Sequence, residues 1–155
     1  MTMQDSDEIQ LSRKNEDLLR KQVDAWARND LDALLSLYND DMEYIDIPFS
    51  DFPVRGKKAF REYLEDYNSQ FVSGTVRVDY VNIIASSTSV VGELRAEARY
   101  VGEGAPDGGV EISWSVVLID TIVDGKVSTE HAHFDSLAFA KAIEQNKTGT
   151  PVETG

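Results

Sequence analysis

Apolar residues recur at helical spacing in the first half of the chain and at every second position in the second half. Leu19 and Val23 share one stripe of a helix predicted over Leu11–Ala27. A second stripe predicts a helix over Leu31–Tyr38, and Asp30 is a suitable residue to cap its N-terminus. Two antiparallel helices are therefore expected to open the fold.

The next segment changes character twice. Met42–Ile47 has the composition of a short strand, and two prolines deny regular structure to Pro48–Arg55. Gly56 then precedes a helix predicted over Lys57–Phe71, whose aromatic residues fall on one face. This is the third predicted helix.

The second half of the chain is rich in β-branched and aromatic residues. Strands are predicted at Val76–Ala85, Val90–Val101, Val110–Val123 and Lys126–Phe134. Asp124-Gly125 is a strong signal for a two-residue hairpin between the last two. A short helix follows over Ser136–Gln145, with Asp135 as its N-cap. Helices followed by a mainly antiparallel sheet predict an α+β layer fold.

The length of 155 residues fits a single domain. We expect that domain to span residues 11–146. Residues 1–10 are polar and acidic, and residues 147–155 are rich in Thr, Gly and Pro, so both are expected to be flexible tails.

Charge and composition narrow the function classes. The formal net charge is −13, and no basic run offsets it, so binding to nucleic acid or to acidic membrane surfaces is not expected. The sequence contains neither a membrane-length apolar stretch nor a secretory signal, which indicates a cytoplasmic location. The absence of cysteine excludes disulfides, thiolate metal sites and cysteine nucleophiles.

Several motifs carry a family resemblance. They are Asn29-Asp30-Leu31-Asp32, Tyr38-Asn39-Asp40-Asp41, Tyr44-Ile45-Asp46-Ile47-Pro48, Arg55-Gly56-Lys57-Lys58-Ala59-Phe60 and Glu130-His131-Ala132-His133-Phe134-Asp135. The sequence resembles the NTF2-like superfamily, particularly its SnoaL-like cyclases, limonene-epoxide hydrolases and ketosteroid isomerases. The resemblance implies a cone-shaped fold, with a curved sheet wrapped around the helices and an apolar pocket between them. It also implies cofactor-free chemistry and a homodimer formed through the outer sheet face.

Asp46 is the leading catalytic candidate. The resemblance matches it to the proton-abstracting Asp of the ketosteroid isomerases. A carboxylate in an apolar pocket has a raised pKa and becomes a better base for a proton on carbon. Tyr44 shares its strand face. The alternative interpretation is that Asp46 only begins the Pro48 turn.

The other parts of the isomerase site match less well. Gln22 stands where the family has its oxyanion-binding Tyr, and Ile119 where it has a second, protonated Asp. Strand alternation relative to Ile119 predicts that Asp120 points to the other face. Isomerisation by the family route is therefore not expected to transfer directly.

Arg95-Ala96-Glu97 resembles the Arg-x-Asp step of the epoxide hydrolases, in which Arg orients the acid. Arg95 and Glu97 are therefore candidate catalytic residues, and a solvated charged strand face is the alternative. The family's catalytic acid on the last strand is replaced by Ala132 here. Glu130, two positions upstream on the same strand face, is the nearest substitute.

His131 and His133 share a strand face. A regular hairpin register would pair them with Leu118 and Val116. A position on the outer, dimer-facing surface is favoured, a pocket role would follow from a β-bulge, and a metal site lacks a third ligand. No metal or other cofactor is expected.

An aromatic and amide set is predicted to bind a small hydrophobic ligand, although ordinary core packing is the alternative. Its members are Gln22, Trp26, Tyr44, Phe60 and Tyr63. Three function classes remain open: a cofactor-free isomerase, cyclase, dehydratase or epoxide hydrolase; a non-catalytic binding protein; and a dimeric scaffold. A cavity of roughly 300 Å³ or more would argue against the scaffold.

Overall fold

The computed structural model describes residues 2–49 and 52–147. Within these residues, four helices and six strands follow in the order α1 (Met3–Ala27), α2 (Leu31–Leu35), β1 (Tyr38–Ile47), β2 (Val54–Arg55), α3 (Lys57–Asn68), β3 (Arg77–Ala85), β4 (Ser89–Tyr100), β5 (Val110–Val123), β6 (Lys126–Phe134) and α4 (Ser136–Lys147).

The strands form one curved, open sheet in the order β2-β1-β6-β5-β4-β3. β1 runs parallel to β6, and every other neighbouring pair is antiparallel. Along β4 and β5, buried and exposed residues alternate, so the sheet has a buried inner face and a solvent-exposed outer face. The predicted α+β architecture is confirmed, and the helices cover the inner face.

Close packing fixes α1 on the sheet. The side chain of Leu19 lies over Gly92 of β4, where an added Cβ would come within 2.6 Å of the Leu19 Cδ2 atom. Glycine at this position therefore lets helix and strand approach. The last helix, α4, packs on the neighbouring strand β5, where the Phe139 and Trp114 ring centroids are 5.0 Å apart.

Each of the four helices in the described residues has one boundary that differs from the prediction, and the largest difference is at the start of α1. α1 begins at Met3 instead of Leu11, because the Thr2 and Asp5 side chains form a capping box with each other's backbone N–H groups. Residues 3–10 of the predicted tail are thus helical, while the predicted tail beyond residue 147 lies outside the described residues. None of the helices in the described ranges is long and apolar enough to cross a membrane.

Tyr38 begins β1 and does not end α2 as predicted. The chain leaves the helix early because the Val127 N–H donates to the Leu37 carbonyl and Tyr38 pairs with Val127. Asp30 does cap α2, accepting a hydrogen bond from the Ala33 N–H at 3.1 Å.

A β-bulge shapes the last hairpin. Thr121 pairs with Thr129, but the next residue of β5, Ile122, pairs with Val127, so Ser128 is the extra residue. The shift pairs His131 with Ile119 and His133 with Val117, so the register predicted for the two histidines was wrong. It also puts Glu130 directly opposite Asp120, with both side chains on the inner face.

Candidate active site

A small cavity lies between the helices and the inner sheet face. Its volume is about 70 Å³, which holds a few water molecules and is well below the roughly 300 Å³ of a site for a drug-sized ligand. Aliphatic side chains from the sheet and six aromatic residues form most of its wall. The aromatic residues are Trp26, Tyr38, Tyr44, Phe60, Tyr67 and Phe134.

Glu130 anchors the polar end of this cavity. Its side chain is 4% exposed and accepts hydrogen bonds from the Tyr38 hydroxyl at 2.9 Å and from Gln22 Nε2 at 2.9 Å. Gln22 Nε2 also donates to the Tyr38 hydroxyl oxygen at 3.0 Å. Burial raises the pKa of Glu130, while the hydrogen bonds it accepts oppose that rise.

Asp120 lies beside Glu130 across the β5–β6 pair. It is fully buried, and neither of its oxygens has a hydrogen-bond partner. Gln22 and Glu130 lie close enough to affect its pKa, which Glu130 raises and Gln22 lowers. Burial, and then the neighbouring Glu130 carboxylate, raise the pKa of Asp120 well above its usual range. Of the two acids, Asp120 therefore holds its proton more firmly.

Asp46 is a second buried carboxyl site, on β1, two residues after the Tyr44 that pairs with Glu130. Tyr44 pairs with Glu130 and Asp46 with Ala132, so the two carboxyl sites are about 7 Å apart along the strand direction. Asp46 is 1% exposed, and both of its oxygens lack partners. Burial raises its pKa from 3.8 to about 7. Near neutral pH, Asp46 can thus both accept and release a proton.

Asp46 adjoins the cavity through its tyrosine neighbours. It is not one of the lining side chains, but Tyr44 and Tyr67 are. Burial raises the pKa of both tyrosine hydroxyls, and the charge of Asp46 raises it further. The buried Tyr67 hydroxyl has no hydrogen-bond partner, so an unpartnered donor lies at the cavity wall and the unpartnered Asp46 carboxyl group lies next to that wall.

The structure does not bring Arg95 and Glu97 to this site. Both are exposed on the outer face of β4, where their β5 partners Ser115 and Ser113 are exposed as well. Their even-numbered neighbours are buried, so strand alternation turns the charged side chains away from the cavity. The alternative interpretation, a solvated charged face, fits this position.

The two histidines are also on the outer face. His131 and His133 are exposed and flank Ala132, which is buried. The Ser128 bulge explains why the histidines face outward. It pairs Glu130 with Asp120 and Ala132 with Leu118 on the inner face, so the residues between them point to the outer face. Among the described residues no three metal-ligating side chains converge.

Four of the five predicted ligand-binding residues line the cavity: Gln22, Trp26, Tyr44 and Phe60. Tyr63 does not. Its ring packs behind the wall, with its centroid 5.3 Å from that of Tyr44 and 6.3 Å from that of Tyr67. It supports two lining residues without reaching the cavity.

Two site residues, Asp120 and Tyr67, were missed, and Tyr38 was expected as a possible cavity residue but on the wrong element. Asp120 continues the inward alternation of Ile112, Trp114 and Val116 along β5, so counting from these residues would have found it. Tyr38 was assigned to a helix, and Tyr67 was treated only as part of an apolar stripe. No local signal separates a tyrosine with an unpartnered hydroxyl from one that packs in a core.

Comparison with known proteins identifies the family. The model of the SnoaL-like domain matches residues 19–130, and the chain belongs to this family. No curated protein matches the sequence.

Solved structures share the fold. A protein called a SnoaL-like polyketide cyclase, from Jannaschia sp. CCS1, is 21% identical with a TM-score of 0.75, covering 86% of this chain and 93% of its own. A polyketide cyclase from Xanthomonas campestris is 20% identical with a TM-score of 0.71, covering 86% and 98%. An LEH-like epoxide hydrolase from M. tuberculosis is 18% identical with a TM-score of 0.68, covering 89% and 95%.

Proposed function

We propose that this protein is a cofactor-free acid–base enzyme that acts on a small, largely apolar molecule. The observation that carries the proposal is Asp46, an enclosed carboxyl group with two unpartnered oxygens and a pKa of about 7. Burying such a group costs stability, and its proton affinity suits general base catalysis near neutral pH. The names of the related structures, polyketide cyclase and epoxide hydrolase, support this class of chemistry.

In the proposed reaction, the Asp46 carboxylate removes a proton from a carbon of the bound substrate and later returns it to the same or another atom. The aromatic wall excludes water, which keeps the carboxylate poorly solvated and basic. The Glu130 network lies about 7 Å along the strand direction and holds a polar group of the substrate. Isomerisation, cyclisation and dehydration all begin with such a proton transfer.

The test is deuterium exchange into small carbon acids. Cyclohexanone, 2-cyclohexenone and acetone are incubated with the protein in D₂O at neutral pH, and loss of the α-proton signals is followed by NMR. We expect exchange above the buffer rate, lost in Asp46→Asn and retained in Glu97→Gln, which removes an exposed acid. Equal exchange by Asp46→Asn and the unmodified protein, or exchange at the buffer rate with all three ketones, would contradict the proposal.

The second candidate is a non-catalytic scaffold, and the cavity volume of about 70 Å³ favours it. In that case aromatic side chains fill the space, and Asp46 has no ligand to serve. The discriminating measurement is solution NMR of the unmodified protein with the same three ketones. Shifts confined to residues around the cavity support ligand entry, whereas an unchanged spectrum supports the scaffold.

We also propose that two copies associate through the outer sheet face. On β4, Glu93 and Arg95 are exposed neighbours of opposite charge on this face, so an antiparallel copy can place arginine against glutamate. Sedimentation should show a dimer at micromolar concentration, and Arg95→Glu should shift it toward monomer. A monomeric unmodified protein would refute this interface.

A further inference from the structure

At the polar end of the cavity, the hydrogen-bond donors of Tyr38 and Gln22 already bind other side chains of the protein. The Tyr38 hydroxyl donates to Glu130, and the Gln22 amide nitrogen donates to both Tyr38 and Glu130. Glu130 accepts on both oxygens, so Gln22 must present its nitrogen to it. The unpartnered polar atom that faces the cavity here is an oxygen, Gln22 Oε1. A ligand group that completes this end must therefore be a hydrogen-bond donor.

The charge at this end is also unbalanced. Among the described residues, the buried ionisable acids and bases are Asp46, Asp120 and Glu130, and no Lys, Arg or His is buried with them. Asp120 holds its proton more firmly than Glu130, so Glu130 carries the negative charge when one of the two acids is ionised. A buried negative charge without a counter-ion is costly, so a cation would find a favourable site here.

The cavity wall suits a cation as well. Trp26, Tyr44 and Phe60 line the same space as Gln22 and Glu130, and aromatic faces attract ammonium groups. The excess of 28 acidic over 15 basic residues in the chain also attracts cations rather than anions.

From the unpartnered acceptor and the charge imbalance we propose that Gln22 and Glu130, with Asp120 beside them, bind the ammonium group of a small primary amine. The amine's N–H groups reach Gln22 Oε1 and Glu130, and its apolar part lies along the aromatic wall. As a statement about substrate class, the inference rests on the proposed function. As a statement about a binding site, it is tested independently of turnover.

The experiment compares amines with alcohols of the same shape. Ethylamine, isobutylamine and benzylamine hydrochlorides are titrated at pH 7.5 against ethanol, isobutanol and benzyl alcohol at matched ionic strength. Calorimetry gives the dissociation constants, and thermal shifts give a second readout. We expect the best amine to bind at least about tenfold more tightly than its alcohol, because only the amine supplies both positive charge and three donors. The size series shows how much of the cavity the ligand fills.

Three variants locate the site. Glu130→Gln should abolish the preference for amine over alcohol, whereas Glu97→Gln, which changes the net charge equally on the outer face, should leave it intact. Asp46→Asn should keep most of the preference, since Asp46 does not line the cavity and lies about 7 Å from Glu130 along the strand direction. The amine–alcohol comparison uses the unmodified chain, so the inference remains testable even if Glu130→Gln does not fold.

The two proposals fail differently. Equal affinity for amines and alcohols, no amine binding at all, or an amine preference that persists in Glu130→Gln would overturn the ammonium site. None of these outcomes affects the ketone-exchange result. Conversely, exchange that persists in Asp46→Asn would overturn the proposed chemistry and leave the amine measurements standing.

Discussion

The two faces of the sheet treat acidic residues in opposite ways. On the outer face of β4, Glu97 and Arg95 are exposed and alternate with other charges, so water and neighbours of opposite charge surround them. On the inner face Asp46, Asp120 and Glu130 are nearly or completely buried, with no buried cation among the described residues. The first arrangement costs little, whereas the second costs stability and so indicates a site.

This contrast shows which property distinguishes a functional acid. The sequence motif Arg95-Ala96-Glu97 resembles a catalytic step, but its side chains are solvated. Asp120 belongs to no motif, yet its oxygens are buried and unpartnered. Unsatisfied burial therefore separates the two faces better than residue spacing does.

The largest expected effect comes from removing the inner-face base. Asp46→Asn should reduce ketone exchange by about a thousandfold, within the range for loss of a general base. Its folded state should be retained, because the amide has nearly the same shape and avoids a buried charge. Exchange rates by NMR and melting temperature by circular dichroism, measured on the same samples, separate lost chemistry from lost folding. An unfolded variant or an undiminished rate would contradict this prediction.

The adjacent acids Asp120 and Glu130 should respond differently to the same substitution. Glu130→Leu removes the acceptor of two buried donors, and we expect the free energy of unfolding to fall by about 3 kcal/mol. Asp120→Leu removes a buried carboxyl group without hydrogen bonds, and we expect a gain of about 1 kcal/mol. Urea denaturation at pH 7 gives both values. Equal losses in the two variants would show that the acids are equivalent.

Much of the fold, but less of the site, could be predicted from the sequence. Periodicity and turn residues located the helices and the long strands, because those signals are local. The cavity depends on the Ser128 bulge, which shifts the register by one residue and turns Glu130 toward Asp120. Nothing around Ser128 marks a bulge in the sequence, so the register of the histidines was predicted wrongly. Asp46 was identified because the family resemblance covered it, and its unpartnered state required three-dimensional packing.

A smaller effect should appear in the pH dependence of stability. The pKa of Asp46 is 3.8 ordinarily and about 7 in the folded protein, so between these values the unfolded chain releases a proton that the folded chain keeps. The contribution of Asp46 to the free energy of unfolding should therefore decrease as pH rises from 4 to 7 and level off above 7. The raised pKa values of Asp120 and Glu130 act in the same direction.

Urea denaturation at pH 5, 6, 7 and 8 measures this dependence. Asp46→Asn should show a shallower decrease than the unmodified protein, since it lacks one of the three inner acids. Glu97→Gln should parallel the unmodified protein. The prediction is wrong if the free energy of unfolding rises between pH 5 and 8. It is also wrong if this free energy has the same pH slope in Asp46→Asn and Glu97→Gln, because burial of Asp46 would then not cause the pH dependence.

The smallest effect is expected on the outer face, where Glu97→Gln is the direct control for Asp46→Asn on the inner face. Glu97→Gln deletes one negative charge, as Asp46→Asn does, but from a solvated position whose β5 partner is the exposed Ser113. We expect its free energy of unfolding to change by no more than about 0.5 kcal/mol, with exchange rate and pH slope unchanged. A loss of exchange in Glu97→Gln would mean that the outer face takes part in the chemistry, and the assignment of the site to the inner face would then be wrong.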